Sequence, residues 1–398
     1  MSTDALPTRS SRDSVNQRIR SIDLLRGLVI VIMALDHVRD FWAITPFSPE
    51  DLSQSTAGFF FTRWITHFCA PVFVLLSGTS AYLYALKRGA SKGELAQFLL
   101  SRGLWLIIVE LTLVNFSWQF GYGAAILQVI WVLGWSMIIL AGLIYLPRWL
   151  IISIGLAAVL GHNALDGLNA ESVGVPQWLW LFWHQSGFYS WPVAGIYGLF
   201  FGYPILPWFG VMALGYALGP WFAKPLAERS NKLLLMGLLM VVAFAVLRGF
   251  NLYGNPTLWA SDARGGLWSL MALLNTEKYP PSLHYLLMTL GPSCVLLALV
   301  ENWRGWLADQ LMLFGKVPFF FYILHIPLIH LTALIYENWR YGQKVVGLSP
   351  PETWPADYVP SLLLCYAVWA GTILVLYWPC RWFAGIRKRY SYWWLSYL

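Results

Sequence analysis

The chain has 398 residues, of which 58% are hydrophobic and only 11% are charged, and its formal net charge is +7. Soluble domains carry about 25% charged residues, so this composition excludes an ordinary soluble domain and favours an α-helical membrane protein. The basic residues are spread over polar breaks between apolar runs rather than gathered on one face, which argues against a nucleic-acid partner.

Residues 1–20 are polar and basic, and they lack the short apolar core and small-residue cleavage site of a signal peptide. We therefore predict a disordered cytoplasmic leader over 1–20, followed by a single transmembrane domain over 21–398. The four cysteines show neither CxxC spacing nor a disulfide framework, so they are expected to be packing residues.

A spanning helix needs about 20 mostly apolar residues, and ten apolar runs are candidates for such helices, of which the fifth is short. The sequence thus predicts an all-α, polytopic integral membrane protein of about ten transmembrane helices. The predicted spans lie near 21–42, 62–86, 95–117, 122–146, 148–162, 200–222, 232–250, 283–301, 311–336 and 358–381.

The loops predict the orientation of these spans. With the N-terminus in the cytoplasm, seventeen Lys and Arg residues fall on that side, and six fall on the other. The six are Arg63, Arg248, Arg264, Lys278, Arg340 and Lys344. Positive charge concentrates in cytoplasmic loops, so both termini are expected in the cytoplasm.

The first span is unusually polar. Ser21 can cap its start and Asp23 suits the first turn of a helix. The residues Arg26, Asp36, His37, Arg39 and Asp40 have no such explanation, because each ionisable group deep in lipid costs about 2.5–3.5 kcal/mol. Such groups normally face a cavity or a partner.

Arg26 and His37 are eleven residues apart, which returns them to one helix face within about 20° and separates them by about 16 Å along the axis. A ligand with a phosphate head and a reactive tail, such as an acyl-CoA, fits that spacing because Arg binds phosphate well. A snorkelling Arg and a hydrogen-bonded interfacial His fit it too, and the spacing alone favours this plainer interpretation.

His37 has acidic neighbours one helical turn away. Asp40 is placed to orient its ring, and Asp36 and Arg39 are placed to pair with each other. A histidine whose second nitrogen is held by a carboxylate is a competent general base.

In the second span, Arg63 and His67 share a face at the level of His37, because the two helices form an antiparallel hairpin. Arg63 or a protonated His67 could stabilise an oxyanion, although a structural role for His67 is equally compatible with the pattern. Pro71 is expected to free a backbone carbonyl and to kink the helix.

Other candidates are weaker. Glu110 is an intramembrane acid that could bind substrate or pair with an arginine. His325 in the ninth span could contact substrate or be a buried polar partner, and Lys278 is a cation in a Pro-rich outer segment. His184, in the Trp-rich segment 163–199, could join a sugar-stacking surface, but interfacial anchoring explains that segment better.

Several segments resemble one family. They are 21–28 (Ser-Ile-Asp-Leu-Leu-Arg-Gly-Leu), Asp36-His37, 62–74, 203–210, 215–219 and 278–283. Together they are similar to the catalytic domain of the heparan-α-glucosaminide N-acetyltransferase family, particularly its bacterial members of unassigned function, and this resemblance implies a location in a bacterial inner (plasma) membrane. The Arg26-x10-His37 pattern also resembles the first-helix motif of bacterial polysaccharide O-acyltransferases.

The resemblance implies transfer of an acetyl group from cytoplasmic acetyl-CoA, as co-substrate, to a glycan or amino-sugar acceptor on the far side of the bilayer. It implies that Arg26 serves the CoA and that His37 is the base. The lysosomal member of the family carries its important histidine in the loop after this helix, where residues 43–61 here have none. Direct transfer is therefore expected rather than an acetyl-histidine intermediate. A homodimer is compatible with this family.

Two other functions remain open at this point. A transporter or flippase for a small polar or sugar-linked substrate also places ionisable groups in spans. A b-type cytochrome would need two histidines approaching one iron from opposite sides, which a single hairpin does not provide. The sequence shows no zinc-like ligand spacing, and neither a metal nor haem is expected.

Overall fold

The computed structural model describes residues 19–193, 196–345 and 350–398, so residues 1–18 of the predicted leader lie outside the described part. Most of the chain is helical. The helices are α1 Arg20–Trp42, α2 Ala57–Thr66, α3 Cys69–Arg88, α4 Lys92–Val109, α5 Asn115–Gln119, α6 Val129–Leu143, α7 Arg148–Gly161, α8 Ala170–Val173, α9 Gln177–Trp183, α10 Ile205–Phe222, α11 Leu226–Gly249, α12 Gly266–Leu274, α13 Leu283–Leu299, α14 Trp306–Lys316, α15 Pro318–Tyr341 and α16 Leu362–Arg389.

Within the described residues, eight helical segments are long and apolar enough to cross a membrane, and α6 is a shorter apolar helix. The eight segments are Ala57–Arg88, Lys92–Gln119, Arg148–Leu165, Ile205–Phe222, Leu226–Gly249, Leu283–Asn302, Pro318–Tyr341 and Leu362–Arg389. The eight segments, the shorter helix α6 and helix α1 together account for the ten predicted spans. Helix α1 has 23 residues but is more polar than the others. The polytopic helical fold is confirmed.

Helix α1 lies inside the bundle, in contact with α3, α14, α15 and α16. Its close approach to α14 depends on two glycines. A Cβ at Gly27 would collide with the backbone at Leu311, and a Cβ at Gly315 would collide with the backbone at Asp23. Because the neighbouring helices enclose α1, its charged residues meet protein rather than hydrocarbon.

The start of α1 differs from the prediction. Ser21 does not cap the helix, and its buried hydroxyl has no hydrogen-bond partner among the residues that the structure describes. The Glu301 carboxylate instead accepts hydrogen bonds from the backbone N–H groups of Arg20 and Ser21, at 3.3 and 3.0 Å. A carboxylate suits the positive end of the helix dipole. Asp23 does lie in the first turn, as expected.

Two predicted spans are interrupted. The second breaks between α2 and α3 at His67 and Phe68. Pro71 has no N–H to offer the His67 carbonyl, which accepts a 2.7 Å hydrogen bond from the Tyr285 hydroxyl instead. The prediction that Pro71 frees a backbone carbonyl is therefore confirmed.

The predicted span 311–336 is wrong as one helix, because Val317 leaves the helical conformation and Pro318 starts α15.

A small sheet adds to the helical architecture. Its strands are β1 Ala125–Leu127, β2 Gly187–Val193 and β3 Ile196–Phe201, in the order β1-β3-β2. β3 pairs parallel with β1 and antiparallel with β2. The predicted spans 122–146 and 200–222 therefore begin too early, since apolar strand residues cannot be told from helix by hydrophobicity alone.

The cysteines are buried and unbridged, which agrees with their predicted packing role. They are Cys69, Cys294, Cys365 and Cys380.

Candidate active site

His37 and His325 form a buried pair between α1 and α15. His37 Nδ1 lies 2.6 Å from His325 Nε2, and the two rings stack at 4.8 Å. His325 Nδ1 lies 2.6 Å from the Tyr322 carbonyl oxygen, which can only accept, so this nitrogen carries the proton. A neutral imidazole has one donor and one acceptor, so His325 Nε2 accepts from His37 Nδ1. His37 Nε2 is then the unprotonated nitrogen, as a general base requires.

Asp40 does not orient His37, contrary to expectation. Its carboxylate accepts a 2.6 Å hydrogen bond from Arg39 Nη2, and His325 occupies the position at His37 Nδ1. The spacing places Asp40 one turn from His37, but the guanidinium of the adjacent Arg39 offers Asp40 a charge-assisted hydrogen bond.

Asp36 links two arginines. Its Oδ1 lies 3.0 Å from Arg39 Nη2 and its Oδ2 lies 2.5 Å from Arg63 Nη1. The predicted pairing of Asp36 with Arg39 is thus formed, and Arg63 joins α2 to the same carboxylate. Buried charges persist when they are paired and hydrogen-bonded, and these three side chains satisfy that condition together.

Glu50, in the loop after α1, extends this network to His67. Glu50 Oε1 lies 3.0 Å from Arg63 Nε and 3.0 Å from His67 Nε2. His67 is only 1% exposed. It therefore stands behind Arg63 as a buried partner of Glu50.

Glu50 is expected to make the stability of the fold depend on pH. Burial raises the pKa of Glu50, but the charge of Arg63 and the hydrogen bond from His67 outweigh burial and hold the pKa well below its ordinary value of 4.5. Such a group stabilises the fold above its unfolded pKa, and the contribution is lost as the pH falls through the folded pKa.

We expect the melting temperature of Glu50→Gln to lie furthest below that of the wild type near pH 7, and the gap to narrow below pH 4.5. Melting curves from pH 7 to 3 in detergent measure it. Glu171→Gln, at an exposed position on α8, is the control. A gap independent of pH would show that the Glu50 charge does not stabilise the fold.

A cavity of about 240 Å³ opens beside this network and is here called the histidine cavity. Its walls come from α1, α2, the sheet and the segment 278–282. It is lined by Asp36, His37, Arg39, Asp40, Arg63, Trp118, Ile126, Gln128, Phe200, Gly202, Tyr203, Lys278 and Tyr279. Lys278, only 6% exposed, and Arg63 bring two cations to the same space as His37. Such cations are suited to stabilise an oxyanion.

A second cavity, of about 290 Å³, lies toward the start of α1 and is here called the basic cavity. Four basic residues line it: Arg26, Arg102, Lys316 and Arg387. Arg26 Nη2 donates a 2.8 Å hydrogen bond to the Ser80 hydroxyl and lies 3.5 Å, through Nη1, from Asp23. Clustered guanidinium groups suit phosphate.

The two cavities lie along one face of α1. Arg26, Ile30 and Met33 line the basic cavity and His37 lines the histidine cavity. These four positions are spaced by three or four residues, which places them on one helix face. Tyr322 also lines the basic cavity, one turn of α15 before His325. The paired histidines therefore stand one helical turn beyond the basic cavity.

No arginine of the described ranges pairs with Glu110. It is fully buried at the start of a π-helical turn, Glu110–Val114. Its Oε2 accepts a 3.1 Å hydrogen bond from the backbone N–H of Trp131, in the first turn of α6, where an anion is favoured by the helix dipole. Its Oε1 has no hydrogen-bond partner in the described part of the chain.

The described residues of the Trp-rich outer segment do not form one stacking surface. Trp178 and Trp191 are exposed, but Trp180 and His184 are buried, and His184 is 1% exposed. The short helices and strands of this segment bury some of its aromatic residues and expose others. A run of Trp residues in the sequence does not show which ones are buried. His184 instead lies 3.4 Å from Asp166, away from the residues lining the histidine cavity.

Several site residues had no sequence signal of their own. Arg102, Lys316 and Arg387 come from α4, α14 and α16, so their meeting depends on helix packing. Glu50 lies in a loop without a motif, and Tyr279 belongs to the family-like segment 278–283, which gave it no role of its own. The one available signal was the concentration of basic residues at the same predicted end of the spans.

The comparison with known families agrees with the resemblance. Residues 18–253 match the family model described as Heparan-alpha-glucosaminide N-acetyltransferase, catalytic. The match runs from 18 to 253, which is 236 of the 398 residues and more than half of the chain. No curated protein gives a significant match. On the strength of the family match, this polytopic helical chain belongs to the heparan-alpha-glucosaminide N-acetyltransferase catalytic-domain family.

Proposed function

We propose that the protein transfers an acetyl group from acetyl-CoA in the basic cavity to a glycan hydroxyl or amine in the histidine cavity. Family membership implies a membrane acetyltransferase and acetyl-CoA as its donor. The observation that carries the finer proposal is the single face of α1, which runs from Arg26 in the basic cavity to His37 in the histidine cavity.

The donor site follows from charge and length. The basic cavity offers guanidinium groups to the phosphates of CoA. Arg26 and His37 are separated by about 16 Å along the helix, and the pantetheine arm is of comparable reach. The thioester then arrives near Met33 and Tyr322, one turn from the histidine pair.

The reaction needs one base and one oxyanion partner. His37 Nε2 takes the proton of the acceptor O–H or N–H, and the acceptor atom attacks the thioester carbonyl carbon. Arg63 and Lys278 stabilise the resulting oxyanion. The intermediate collapses by breaking the C–S bond, and the CoA thiolate takes the proton from His37. Asp36 holds Arg63 in place through the ion pair already described.

The proposed sidedness rests on the basic loops. The basic cavity lies at the end of the bundle that the positive-inside rule places in the cytoplasm, where acetyl-CoA is made. The acceptor then enters from the opposite side of the membrane. On this proposal both chain termini are cytoplasmic.

Binding of acetyl-CoA tests the donor site. We expect Arg26→Gln to raise the Kd for acetyl-CoA about 10- to 100-fold, because a hydrogen bond to a charged group is worth about 1.5–3 kcal/mol. The same variant should lose the rise in melting temperature that acetyl-CoA gives the wild type by mass action. Calorimetry and melting curves in detergent measure both.

Arg381→Gln is the matched control, since Arg381 is an exposed arginine of α16, bonded to Tyr377, and does not line the basic cavity. Wild-type affinity in Arg26→Gln would place the donor elsewhere. Sugar-coupled ion flux without any effect of acetyl-CoA would favour a transporter.

A further inference from the structure

A cluster of metal-binding side chains lies outside the site described above. His162, Asp166 and His184 each offer one ligand atom, and these three atoms lie within 4.8 Å of one another. The proposed acetyl transfer uses none of them. We propose that this cluster is a zinc site that fixes the outer segments of the protein.

The local structure brings the three residues together. His162 begins the 3-10 turn His162–Leu165, and Asp166 follows it. Because this turn is short, it keeps His162 and Asp166 close in space, and their ligand atoms lie within 4.8 Å of each other. His184 lies at the end of α9, where its backbone N–H donates a 2.8 Å hydrogen bond to the Trp180 carbonyl. Only the tertiary structure joins His184 to the other two.

The burial of the two histidines points to a ligand. Both are 1% exposed. His184 Nε2 has only the distant Asp166 Oδ1, 3.4 Å away, and the other three ring nitrogens have no hydrogen-bond partner among the described residues. A buried polar group without a partner costs about 1–3 kcal/mol. A metal ion that accepts the lone pairs of both rings removes that cost.

The donor set and its spacing suit Zn²⁺. Zinc is bound by histidine nitrogen and carboxylate oxygen at about 2.0–2.2 Å, and in tetrahedral geometry neighbouring ligands then lie about 3.3 Å apart. His184 Nε2 and Asp166 Oδ1 are already 3.4 Å apart. A modest movement of His162 completes three ligands, and the Asp166 side chain, 20% exposed, leaves an entry path and room for a fourth ligand.

The surroundings connect this cluster to the histidine cavity. Asn163 Nδ2 donates a 2.8 Å hydrogen bond to Asp166 Oδ2, and Asn163 Oδ1 accepts one of 2.8 Å from the backbone N–H of Leu283. Leu283 starts α13 directly after the segment that carries Lys278 and Tyr279. A metal bound to Asp166 would therefore hold the wall of the histidine cavity in place through Asn163, which bonds both to this ligand and to Leu283.

This site differs from the sequence-based expectation of no metal. His162 and Asp166 stand four apart, but the third ligand follows eighteen residues after Asp166, in a segment whose pattern suggested interfacial anchoring. The pattern alone does not reveal that α9 folds back onto the end of α7.

Metal content tests the proposal. The full chain, purified in detergent and freed of any affinity tag, is stripped with EDTA and titrated with ZnSO₄. We expect about one zinc per chain by mass spectrometry and a zinc-dependent rise in melting temperature. Because loss of a partner that merely orients a ligand already costs 10- to 100-fold in affinity, Asp166→Asn and His184→Gln should each raise the zinc Kd at least about tenfold.

His330→Gln is the control. His330 is also a buried histidine, but its Nδ1 lies 2.8 Å from the Ser117 carbonyl oxygen, and the variant should keep wild-type zinc affinity. Asp166→Asn preserves the shape of the side chain, so it reports on metal binding even if His184→Gln fails to fold. Folded wild-type protein that binds no zinc, or unchanged affinity in a folded Asp166→Asn, overturns the proposal.

Discussion

His37→Asn is expected to lower the kcat of acetyl transfer about 10²- to 10⁴-fold, the range that a positioned general base contributes. The asparagine amide can replace His37 Nδ1 as donor to His325 Nε2, so the pair with α15 survives. It has no counterpart of His37 Nε2, which is the nitrogen that takes the acceptor proton. The Kd for acetyl-CoA should stay close to the wild-type value, because the phosphates bind about 16 Å away.

Steady-state rates with acetyl-CoA and a sugar acceptor, together with calorimetry for acetyl-CoA, separate the two effects. His330→Gln on α15 is the control, since it also removes a buried imidazole but lies outside both cavities. If His37→Asn transfers acetyl groups at the wild-type rate, His37 is not the base, whatever the affinity for acetyl-CoA.

Asp36→Asn is expected to destabilise the fold by about 3–5 kcal/mol, the usual cost of removing one partner of a buried ion pair. Three cations, Arg39, Arg63 and Lys278, meet three carboxylates, Asp36, Asp40 and Glu50, around the histidine cavity. Neutralising Asp36 leaves one positive charge in excess next to two arginines that it bridged. The substitution changes the charge with almost no change in shape.

Thermal and denaturant unfolding in detergent measures this loss. Asp357→Asn is the matched control, because its 2.9 Å ion pair with Arg340 is exposed and exposed pairs contribute about 0–1 kcal/mol. The double variant Asp36→Asn/Arg63→Leu should lose less than the sum of the two single variants, since neighbouring partners are coupled. A loss below about 1 kcal/mol in Asp36→Asn would mean that water rather than Asp36 stabilises the two arginines.

The membrane class, the approximate spans and the polar face of α1 were predictable from the amino-acid sequence. These are local properties: hydrocarbon requires long apolar helices, and a 3.6-residue period places Arg26 and His37 on one face. The family was likewise recognisable from short motifs. The free carbonyl before Pro71 was predictable for the same reason, because proline lacks an N–H wherever its helix lies.

The contacts between side chains of different helices were not predictable in this way, because they depend on the packing of the helices. Asp40 was the predicted partner of the His37 ring, and His325 was predicted only as a substrate contact or a buried polar partner. The packing of α15 against α1 places His325 at His37 Nδ1 instead. Glu110 reached the amides of α6 rather than an arginine, and Glu301 replaced Ser21 as the cap of α1. Periodicity fixes the direction of a side chain from its own helix, whereas its partner depends on how distant helices pack. For that reason His162, Asp166 and His184 became visible as a cluster only in three dimensions.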